Sequence, residues 1–392
     1  MSVTSAIPLA VRPRLRISML STYPPTVCGL ATFSSALERE LTYLGHQVDI
    51  VRVDDGSVGP RGDDSVAGVL RRGSRHSIRS AAGLLSRADV AIIQHEYGIF
   101  GGADGDEVVD VLKALTVPAV VVLHTVPAQP SGHQADLLIE ICELAAVVVV
   151  MTESARDRLT RTYYPIDEEK VVTIPHGALV PSVGNVPAAS YSTPSGQLLT
   201  WGLLGPGKGV EHAIDAVAAL KRRGRSLRYT VAGVTHPKVK AREGDRYRNS
   251  LVERAQRSGV AADVTFDDTY RGVMRMTRFI ASASIVVLPY ESVDQVTSGV
   301  LVDSIAAGRP VIATAFPHAE ELLGSGAGIV VPHRDPMALA EAIDRATTDP
   351  ALLRSMTNEA RRLAPSLSWH AVAGRYADEC AVLLESDARV SI

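Results

Sequence analysis

The segment 289-PYESVDQVTSGVLVD-303, followed by 307-AGRPVI-312, carries the clearest structural pattern in this chain. An apolar run over 284–288 precedes it and predicts a buried strand. The segment then predicts a polar loop, a helix that begins near Ser298, and a helix end at Gly308 ahead of a second buried strand. A strand, a loop, a helix and another strand in this order are typical of a parallel sheet covered by helices.

The start of that helix is a predicted anion site. The N–H groups of a first helical turn lack partners within the helix, the positive end of the helix dipole lies there, and Gly299 lets a phosphate come close to the backbone. Gln295 and Asp303 supply polar groups for sugar hydroxyls beside that phosphate. A phosphate next to a sugar suggests a nucleotide-sugar site.

Short Val- and Ile-rich runs alternate with amphipathic stretches along the whole chain, which predicts an α/β fold with two doubly wound, Rossmann-like parallel sheets. Twelve strands are predicted, at 15–20, 47–53, 90–94, 119–123, 146–151, 171–174, 198–201, 228–232, 264–266, 285–288, 311–314 and 328–331. Ligands of such sheets bind beyond the carboxyl ends of the strands, so we expect a cleft between two facing domains.

A Pro-, Gly- and Ser-rich stretch divides the pattern into two halves. We therefore predict an N-terminal, acceptor-binding domain over 1–183, a linker over 184–197 and a C-terminal, nucleotide-sugar-binding domain over 198–368. A final helical segment over 369–392 is expected to pack back on the N-terminal domain.

The composition is typical of a compact intracellular protein. A chain of 392 residues is too long for one ordinary core, and 46% hydrophobic with 21% charged residues argue against long disordered segments. The net charge of −3 and the short basic clusters argue against a nucleic-acid partner. Three widely spaced cysteines predict a reducing compartment, the cytoplasm. Neither a signal peptide nor a membrane-spanning run is predicted, and peripheral contact with a membrane stays open.

The first strand runs into 21-STYPPTVCGL-30, a loop that enters a helix at Gly29. An ordinary helix entry explains this glycine as well as a phosphate contact does. Its place after the first strand makes Gly29 a candidate second phosphate contact, from the N-terminal domain. Cys28 is interpreted as a packing residue, because no His or Asn lies near it in sequence.

Two later strand ends carry imidazoles. The segment 95-HEYGIFGG-102 combines an imidazole, a carboxylate, aromatic rings and flexible glycines, a mixture that suits a sugar acceptor. The predicted acceptor contacts are His95, Glu96, Gly101 and Gly102. A turn closed by a capping carboxylate is the alternative. His124 ends the next strand, where a functional imidazole and a structural one are both open.

The loop 202-GLLGPGKG-209 joins a strand to a helix and carries one lysine. It is not a P-loop, because Gly209 occupies the position of the required Ser or Thr. Lys208 is a candidate for neutralising charge on a leaving phosphate, and a surface lysine is the alternative. Asp104 and Asp106 resemble a metal-binding carboxylate pair, but no strand pattern surrounds them, so no metal site is predicted.

These motifs in this order resemble the retaining glycosyltransferases of family 4, which have the two-domain GT-B fold. The likeness runs through 45-GHQV-48, 174-IPHG-177, 207-GKG-209, 307-AGRPVIAT-314 and 320-EELL-323. Members of the family usually carry Glu-x7-Glu where this chain has Gln295 and Asp303, and an arginine where it has Leu203. The runs 94-QHEYGIFGG-102 and 316-FPHAEELL-323 look like a bacterial subgroup often suspected of mannosyl transfer.

The resemblance implies roles for these positions. Asp303 would hold the nucleotide ribose, Lys208 the phosphates, and Gln295 the donor hydroxyls. The implied catalytic residues are His124, Lys208 and Gln295. The implied donor-binding residues are Gly29, Lys208, Gln295, Thr297, Ser298, Gly299, Val300 and Asp303, with the backbone of 298–300 on the pyrophosphate.

The expected function is a retaining, metal-independent transfer of mannose or glucose from a nucleoside diphosphate sugar, of the GDP-mannose or UDP-glucose type, to a carbohydrate or small-molecule hydroxyl, without a cofactor. A glycoside phosphorylase of the same fold is one alternative, because Leu203 removes a phosphate cation. A non-catalytic nucleotide or carbohydrate binder is the other, because Gln295 is neutral. Asp303 argues against the phosphorylase, since a ribose-binding carboxylate is useless without a nucleotide.

Overall fold

The computed structural model describes residues 14–26, 28–54, 65–162, 166–181 and 196–390, the side chains of 386–390 excepted. The chain divides into two compact units. The first contains 1–123, 131–149 and 373–392, and the second contains 124–130 and 150–372. The linker predicted over 184–197 lies outside the described residues apart from Gly196 and Gln197. The domain boundaries drawn from the sequence therefore stay predictions.

The first sheet is built from the N-terminal part of the chain. Its described strands are β1 (Arg16–Ser21), β2 (Gln47–Val53), β3 (Val66–Leu70), β4 (Val90–His95), β5 (Ala119–Leu123), β6 (Val147–Val150) and β7 (Val171–Thr173). They lie in the order β3-β2-β1-β4-β5-β6-β7, and the registers of the first six are parallel. Every residue of β5 and β6 is buried, so these strands are continuous apolar runs.

Helices connect these strands. They are α1 (Gly29–Tyr43), α2 (Arg75–Leu85), α3 (Glu107–Ala114), α4 (Gly132–Leu144) and α5 (Glu153–Thr162). α1 places Phe33, Leu37 and Leu41 on its buried face, as the apolar spacing predicts. α4 begins with a capping box in which Ser131 and Gln134 each satisfy the other's backbone N–H.

The second sheet has the same kind of architecture. Its strands are β8 (Gln197–Trp201), β9 (Arg228–Ala232), β10 (Val264–Asp267), β11 (Ile285–Leu288), β12 (Val311–Thr314) and β13 (Gly328–Val331). Their order is β10-β9-β8-β11-β12-β13, and all five pairings are parallel.

The helices of the C-terminal part are more numerous. They are α6 (Val210–Arg222), α7 (Pro237–Glu243), α8 (Arg246–Arg257), α9 (Val273–Ala281), α10 (Gly299–Ala306), α11 (Pro317–Leu323), α12 (Pro336–Thr348), α13 (Pro350–Leu363) and α14 (Trp369–Val390). None of the helices among the described residues combines the length and the apolarity needed to cross a bilayer.

Both faces of the second sheet are buried, and β11 shows this most directly. Ile285 and Val287 belong to a core cluster with residues of α6 and α12. The alternating residues Val286 and Leu288 belong to the opposite cluster, with residues of α10. Because successive side chains of a strand point to opposite faces, helices on both sides require the unbroken apolar run seen in the sequence.

All twelve predicted strands are present, to within one residue at each end, and the predicted α/β class is confirmed. β3 is the strand that the sequence analysis missed. It is an edge strand in which only Leu70 is fully buried and Gly68 interrupts the pattern. A half-exposed strand of five residues leaves a weak periodic signal.

The order of strands reverses at one point in each sheet. In the first sheet the reversal lies between β1 and β4, and in the second it lies between β8 and β11. Successive connections there leave to opposite faces of the sheet, which opens a crevice at the carboxyl ends of the two strands. The loops after these four strands are therefore the places where the topology favours a ligand.

Candidate functional site

The glycine-rich loop over 202–209 follows β8 and packs against the end of β11. Gly209 has a φ of +62°, and a Cβ there would lie 1.8 Å from the carbonyl oxygen of Pro289. Gly207 accepts a 2.9 Å hydrogen bond from the N–H of Glu291. Glycine is required at 209 both by the left-handed conformation and by this close approach. The two loops at the reversal point of the second sheet are thus joined backbone to backbone.

Lys208 lies in this loop with its side chain half-buried. Its Nζ is 4.2 Å from the centre of the Tyr290 ring, and it forms no ion pair with a carboxylate of the described residues. Burial lowers the pKa of Lys208 below the usual lysine value. A half-buried cation without a partner anion is what a bound anion would neutralise.

The start of α10 is capped by the side chain of Ser298 and by the ring of His318, which lies twenty residues later. Ser298 is buried, and its hydroxyl accepts a 3.3 Å hydrogen bond from the N–H of Leu301. The N–H of Ser298 donates to Nδ1 of His318 at 2.8 Å. This differs from the prediction that the Ser298 backbone faces a pyrophosphate, because its donor is engaged. Gly299 and Val300 are the first-turn residues whose N–H groups have no partner within the described chain.

Two imidazoles lie beside this helix start, the buried His318 and the half-buried His176. Burial lowers the pKa of His318 to about 3, with a smaller contribution from the nearby His176. Burial likewise lowers the pKa of His176 to about 4. A Cβ at Gly299 would lie 3.0 Å from Nε2 of His176, so a larger residue there would require the His176 ring to shift slightly. Both rings are therefore neutral near pH 7, so neither adds positive charge to the predicted anion site.

The sequence analysis assigned no role to His176 and His318. The segments that carry them, 174-IPHG-177 and 317-PHAEELL-323, were recognised only as parts of a family likeness. The position of each histidine just after a predicted strand was the available signal. Nothing in the sequence indicates that either ring reaches the start of α10. His176 lies more than one hundred residues before it, and His318 lies twenty residues after Ser298.

Asp303 lies on α10, about one turn after Gly299, and its side chain is largely buried. Its carboxylate makes no hydrogen bond or ion pair with other described residues. Burial raises the pKa of Asp303 to about 7. An unpaired carboxyl held in an environment that disfavours its charge is a common property of ligand-binding positions, because a ligand can supply the missing hydrogen bonds.

Gln295 lies in a loop that is anchored on both sides. Asp294 forms an ion pair with Arg158 and accepts a 3.1 Å hydrogen bond from the N–H of Ala128, and the carbonyl of Val296 accepts one of 3.1 Å from Thr152. The amide of Gln295 donates to the carbonyl of Thr297 at 2.9 Å. The Gln295 side chain is therefore bonded to the backbone of the loop in which it lies.

His124 follows β5 and is half-buried. It begins the short segment 124–130 of the second unit, whose Ala128 is bonded to Asp294. Arg158 also donates to the carbonyl of Val126 at 2.9 Å. The segment with His124 and the loop with Gln295 thus share two anchoring side chains.

In the first unit, Gly29 is the exposed first residue of α1. The N-cap is Cys28, whose Sγ accepts a 3.3 Å hydrogen bond from the N–H of Ala31, so this cysteine has a structural role. A Cβ at Gly29 would meet no heavy atom within 4 Å. The protein itself therefore does not require glycine at this position.

His95 ends β4 and is fully buried. Neither of its ring nitrogens has a hydrogen-bond partner among the described residues, its ring meets that of Tyr97 edge-on at 5.1 Å, and burial lowers its pKa to about 4. The sequence analysis expected this strand end to present an open imidazole, whereas the structure encloses it. An acceptor contact by His95 stays a prediction.

The neighbouring acceptor candidates have internal contacts. Glu96 accepts a 3.0 Å hydrogen bond from the N–H of Tyr97. The carboxylate of Glu107 accepts from the N–H of Gly101 at 3.0 Å, and Asp106 lies so close to Gly102 that a Cβ there would be 1.8 Å from its Oδ1. The positive φ of Gly102 favours glycine there, whereas the carboxylate beside Gly101 ends a flexible side chain. The acceptor role of both glycines also stays a prediction. Asp104 pairs with His133 at 3.0 Å.

Comparisons with known proteins agree with this architecture. A model described as Glycosyltransferase Family 4 matches residues 27–178, and one described as Glycosyl transferases group 1 matches residues 196–349. No curated protein sequence matches the chain at a significant level.

Solved structures share the fold at low identity. HepE from Anabaena in complex with UDP has a TM-score of 0.69 and 14% identity, covering 94% of this chain and 100% of that one. A glycosyltransferase from Rickettsia africae has a TM-score of 0.73 and 16% identity, covering 94% and 99%. Sucrose-phosphate synthase from Thermosynechococcus elongatus has a TM-score of 0.71 and 18% identity, covering 95% and 100%. The chain has the GT-B architecture of two parallel-sheet, Rossmann-like domains.

Proposed function

We propose that this chain transfers mannose or glucose from a nucleoside diphosphate sugar with retention of configuration. The premise is that it belongs to the group 1 and family 4 type of glycosyltransferase. The acceptor is a hydroxyl of a carbohydrate or small molecule. One observation carries this proposal. Lys208 and a helix start with two N–H groups follow the two strands of one reversal point, and neither has a partner anion or acceptor among the described residues. A diphosphate is an anion that suits both the lysine ammonium and the N–H groups of the helix start.

The topology supports a single ligand for these groups. β8 and β11 are neighbouring parallel strands, so the loops that follow them emerge at the same edge of the sheet. One loop carries Lys208, and the other leads to Gly299 and Val300. Backbone N–H groups and a lysine ammonium are the donors that proteins commonly use for phosphate oxygens. Asp303, further along α10, accepts hydrogen bonds from the ribose hydroxyls in this proposal.

The proposed reaction follows a front-face route, in which the acceptor hydroxyl attacks from the side on which the diphosphate leaves. No enzymic nucleophile is needed. Lys208 and the start of α10 stabilise the charge that develops on the leaving diphosphate, and a donor phosphate oxygen takes the acceptor proton. His124 and Gln295 orient the transferred sugar. Because these groups supply the positive charge, the proposal includes neither a metal ion nor a cofactor.

Location and membrane contact are further parts of the proposal. No disulfide bond joins the described cysteines, which fits the reducing cytoplasm. Peripheral contact with a membrane surface is compatible with an acceptor presented there, and vesicle co-sedimentation would test it.

Calorimetry with UDP, GDP and inorganic phosphate, followed by NMR of the anomeric configuration of any product, tests the proposed activity. Binding of a nucleoside diphosphate in preference to phosphate, with turnover and retained configuration, is the expected result. Preferential binding of phosphate would favour a glycoside phosphorylase instead, for which Leu203 is the reason. Nucleotide binding without transfer or donor hydrolysis would identify a non-catalytic binder, for which Gln295 is the reason.

Substitution of Gly29 tests the predicted contact of α1 with the donor phosphates. We expect Gly29→Ala to change the free energy of unfolding by less than about 1 kcal/mol, because the new Cβ has room and alanine is the better helix former. We expect the affinity for the nucleoside diphosphate to fall by about threefold to tenfold, because the methyl group keeps a phosphate from the backbone. Isothermal titration calorimetry measures this change.

Gly132→Ala is the matched control. Gly132 also begins a helix, and a Cβ there would likewise meet no heavy atom within 4 Å. It lies in the connection after β5, away from the reversal point between β1 and β4. Equal nucleotide affinity of the Gly29 variant and the wild type would remove α1 from the donor site.

A further inference from the structure

Tyr290 lies against Lys208 at the point where β11 passes into its loop. The residue is only 1% exposed, and the ammonium of Lys208 lies 4.2 Å from the centre of its ring. The negative face of an aromatic ring attracts a cation at this distance, more strongly where water is excluded. The contact connects the glycine-rich loop to the loop that leads to α10.

The surroundings of the Tyr290 ring hold it in place independently of Lys208. It stacks on Phe316, with ring centres 5.5 Å apart and planes inclined by 23°. The Tyr290 carbonyl accepts hydrogen bonds from Thr314 at 2.6 Å and from His333 at 2.9 Å. A fixed ring beneath a flexible four-carbon side chain determines where the ammonium rests.

The hydroxyl of Tyr290 does not contribute to this arrangement. It is enclosed and has no hydrogen-bond partner among the described residues. Since solvent does not reach the oxygen, a ligand cannot reach it either. The part of Tyr290 that faces the candidate site is therefore the ring.

We propose that Tyr290 is a positioning residue, whose ring face holds the Lys208 ammonium where the leaving diphosphate needs it before the donor binds. The inference rests on the proposed function for the role of Lys208. Ordering the lysine in advance avoids the loss of side-chain freedom on binding and removes the reorganisation otherwise needed as charge develops.

NMR tests the contact without reference to activity. The chain has six lysines, so protein labelled with ¹³C-lysine gives six ε-methylene signals, and Lys208→Arg assigns the one of interest. We expect the Lys208 signal upfield of the other five because of the ring current of Tyr290. The shift should persist in Tyr290→Phe and disappear in Tyr290→Leu. A wild-type Lys208 signal within the range of the other lysines would overturn the proposal without any variant.

Kinetics test the consequence. For hydrolysis of UDP-glucose or GDP-mannose, whichever the wild type uses, Tyr290→Leu should lower kcat/KM by about tenfold or more. Tyr290→Phe should stay within about threefold of the wild type, because it keeps the ring and loses only an unpaired hydroxyl. In the Lys208→Ala background, Tyr290→Leu should have little further effect, since its target is absent.

The outcomes separate a positioning role from a structural one. If Tyr290→Leu lowers kcat/KM equally with and without Lys208, the ring acts through the fold and the proposal is wrong. Equal losses in Tyr290→Phe and Tyr290→Leu would assign the effect to the hydroxyl and overturn it as well. If the upfield signal is present but the wild type neither binds nor turns over nucleotide sugars, the proposed function and the role of Tyr290 within it fail, although the contact stands.

Discussion

Replacing Lys208 with alanine is expected to lower kcat by about 10²- to 10³-fold, equivalent to about 3–4 kcal/mol of transition-state stabilisation. The reason is that Lys208 is the cation at the β8–β11 reversal point that has no carboxylate partner among the described residues. The fold should tolerate the change, because the ammonium makes no ion pair and its removal leaves no buried charge unpaired. Steady-state kinetics and a thermal melt measure the two effects.

Lys221→Ala is the matched control for this experiment. Lys221 lies on α6, the helix that follows the glycine-rich loop, and its ammonium bonds to Asp263 at 2.7 Å with its side chain 48% exposed. We expect that variant to lose less than about 1 kcal/mol of stability and no activity, as is usual for a solvent-exposed ion pair. Full turnover in Lys208→Ala would refute the assignment of Lys208 to the leaving diphosphate.

Asp303→Asn is expected to weaken nucleoside diphosphate binding by about 10- to 100-fold, because hydrogen bonds from two ribose hydroxyls to a carboxylate lose their charge assistance. The same change should reduce the preference of the protein for UDP or GDP over the 2′-deoxy nucleotide. Calorimetry with both nucleotides measures the preference. Asp136→Asn, at an exposed position of α4, is the control. An unchanged preference in Asp303→Asn would remove this carboxylate from the ribose.

The pH dependence of Asp303 gives a second readout. Its pKa in the folded state is raised from 3.8 to about 7, so between these values the folded protein holds a proton that the unfolded chain has released. Asp303 therefore makes the folded state progressively less stable, relative to the unfolded chain, as the pH rises from about 4 to about 7, and the deficit stays constant above that range. Asp303→Asn should raise the free energy of unfolding at pH 8 by on the order of 1–3 kcal/mol and have little effect at pH 4.

Nucleotide affinity should change with pH in the opposite sense. If the ribose hydroxyls bind the ionised carboxylate, binding releases a proton and becomes tighter as the pH rises toward 7. The phosphates also titrate in this range, and Asp303→Asn retains that contribution. The difference between the two pH profiles isolates Asp303.

The fold was predictable because its signals are local. Each buried strand of a parallel sheet is an apolar run, and α10 carries its own start signal in Ser298 and Gly299. The edge strand β3 was missed because half of it faces solvent. The α/β class follows from the alternation of strands and helices, whereas the strand order and its reversal points come from the structure.

The site was predictable only in outline. The sequence places Lys208 and the α10 start each after a predicted strand, but it does not reveal that His318 engages the N–H of Ser298. It also does not reveal that the ring of His95 is buried. Both depend on packing between residues distant in sequence, which periodicity and spacing do not record. The contacts of Glu107 and Asp106 beside Gly101 and Gly102 likewise could not be read from composition.

The hydrogen bond from Gln295 to the carbonyl of Thr297 restricts which mutational paths are open to this protein. A carboxylate at 295 cannot donate to that carbonyl, so a single replacement by glutamate would bring two acceptors together in a loop whose neighbours, Asp294 and Val296, are already tethered. The contact between residue 295 and the carbonyl of Thr297 must change before a charged glutamate can replace Gln295. Directed evolution toward a glutamate at 295 should therefore favour variants with second-site substitutions among the residues that tether 294–297.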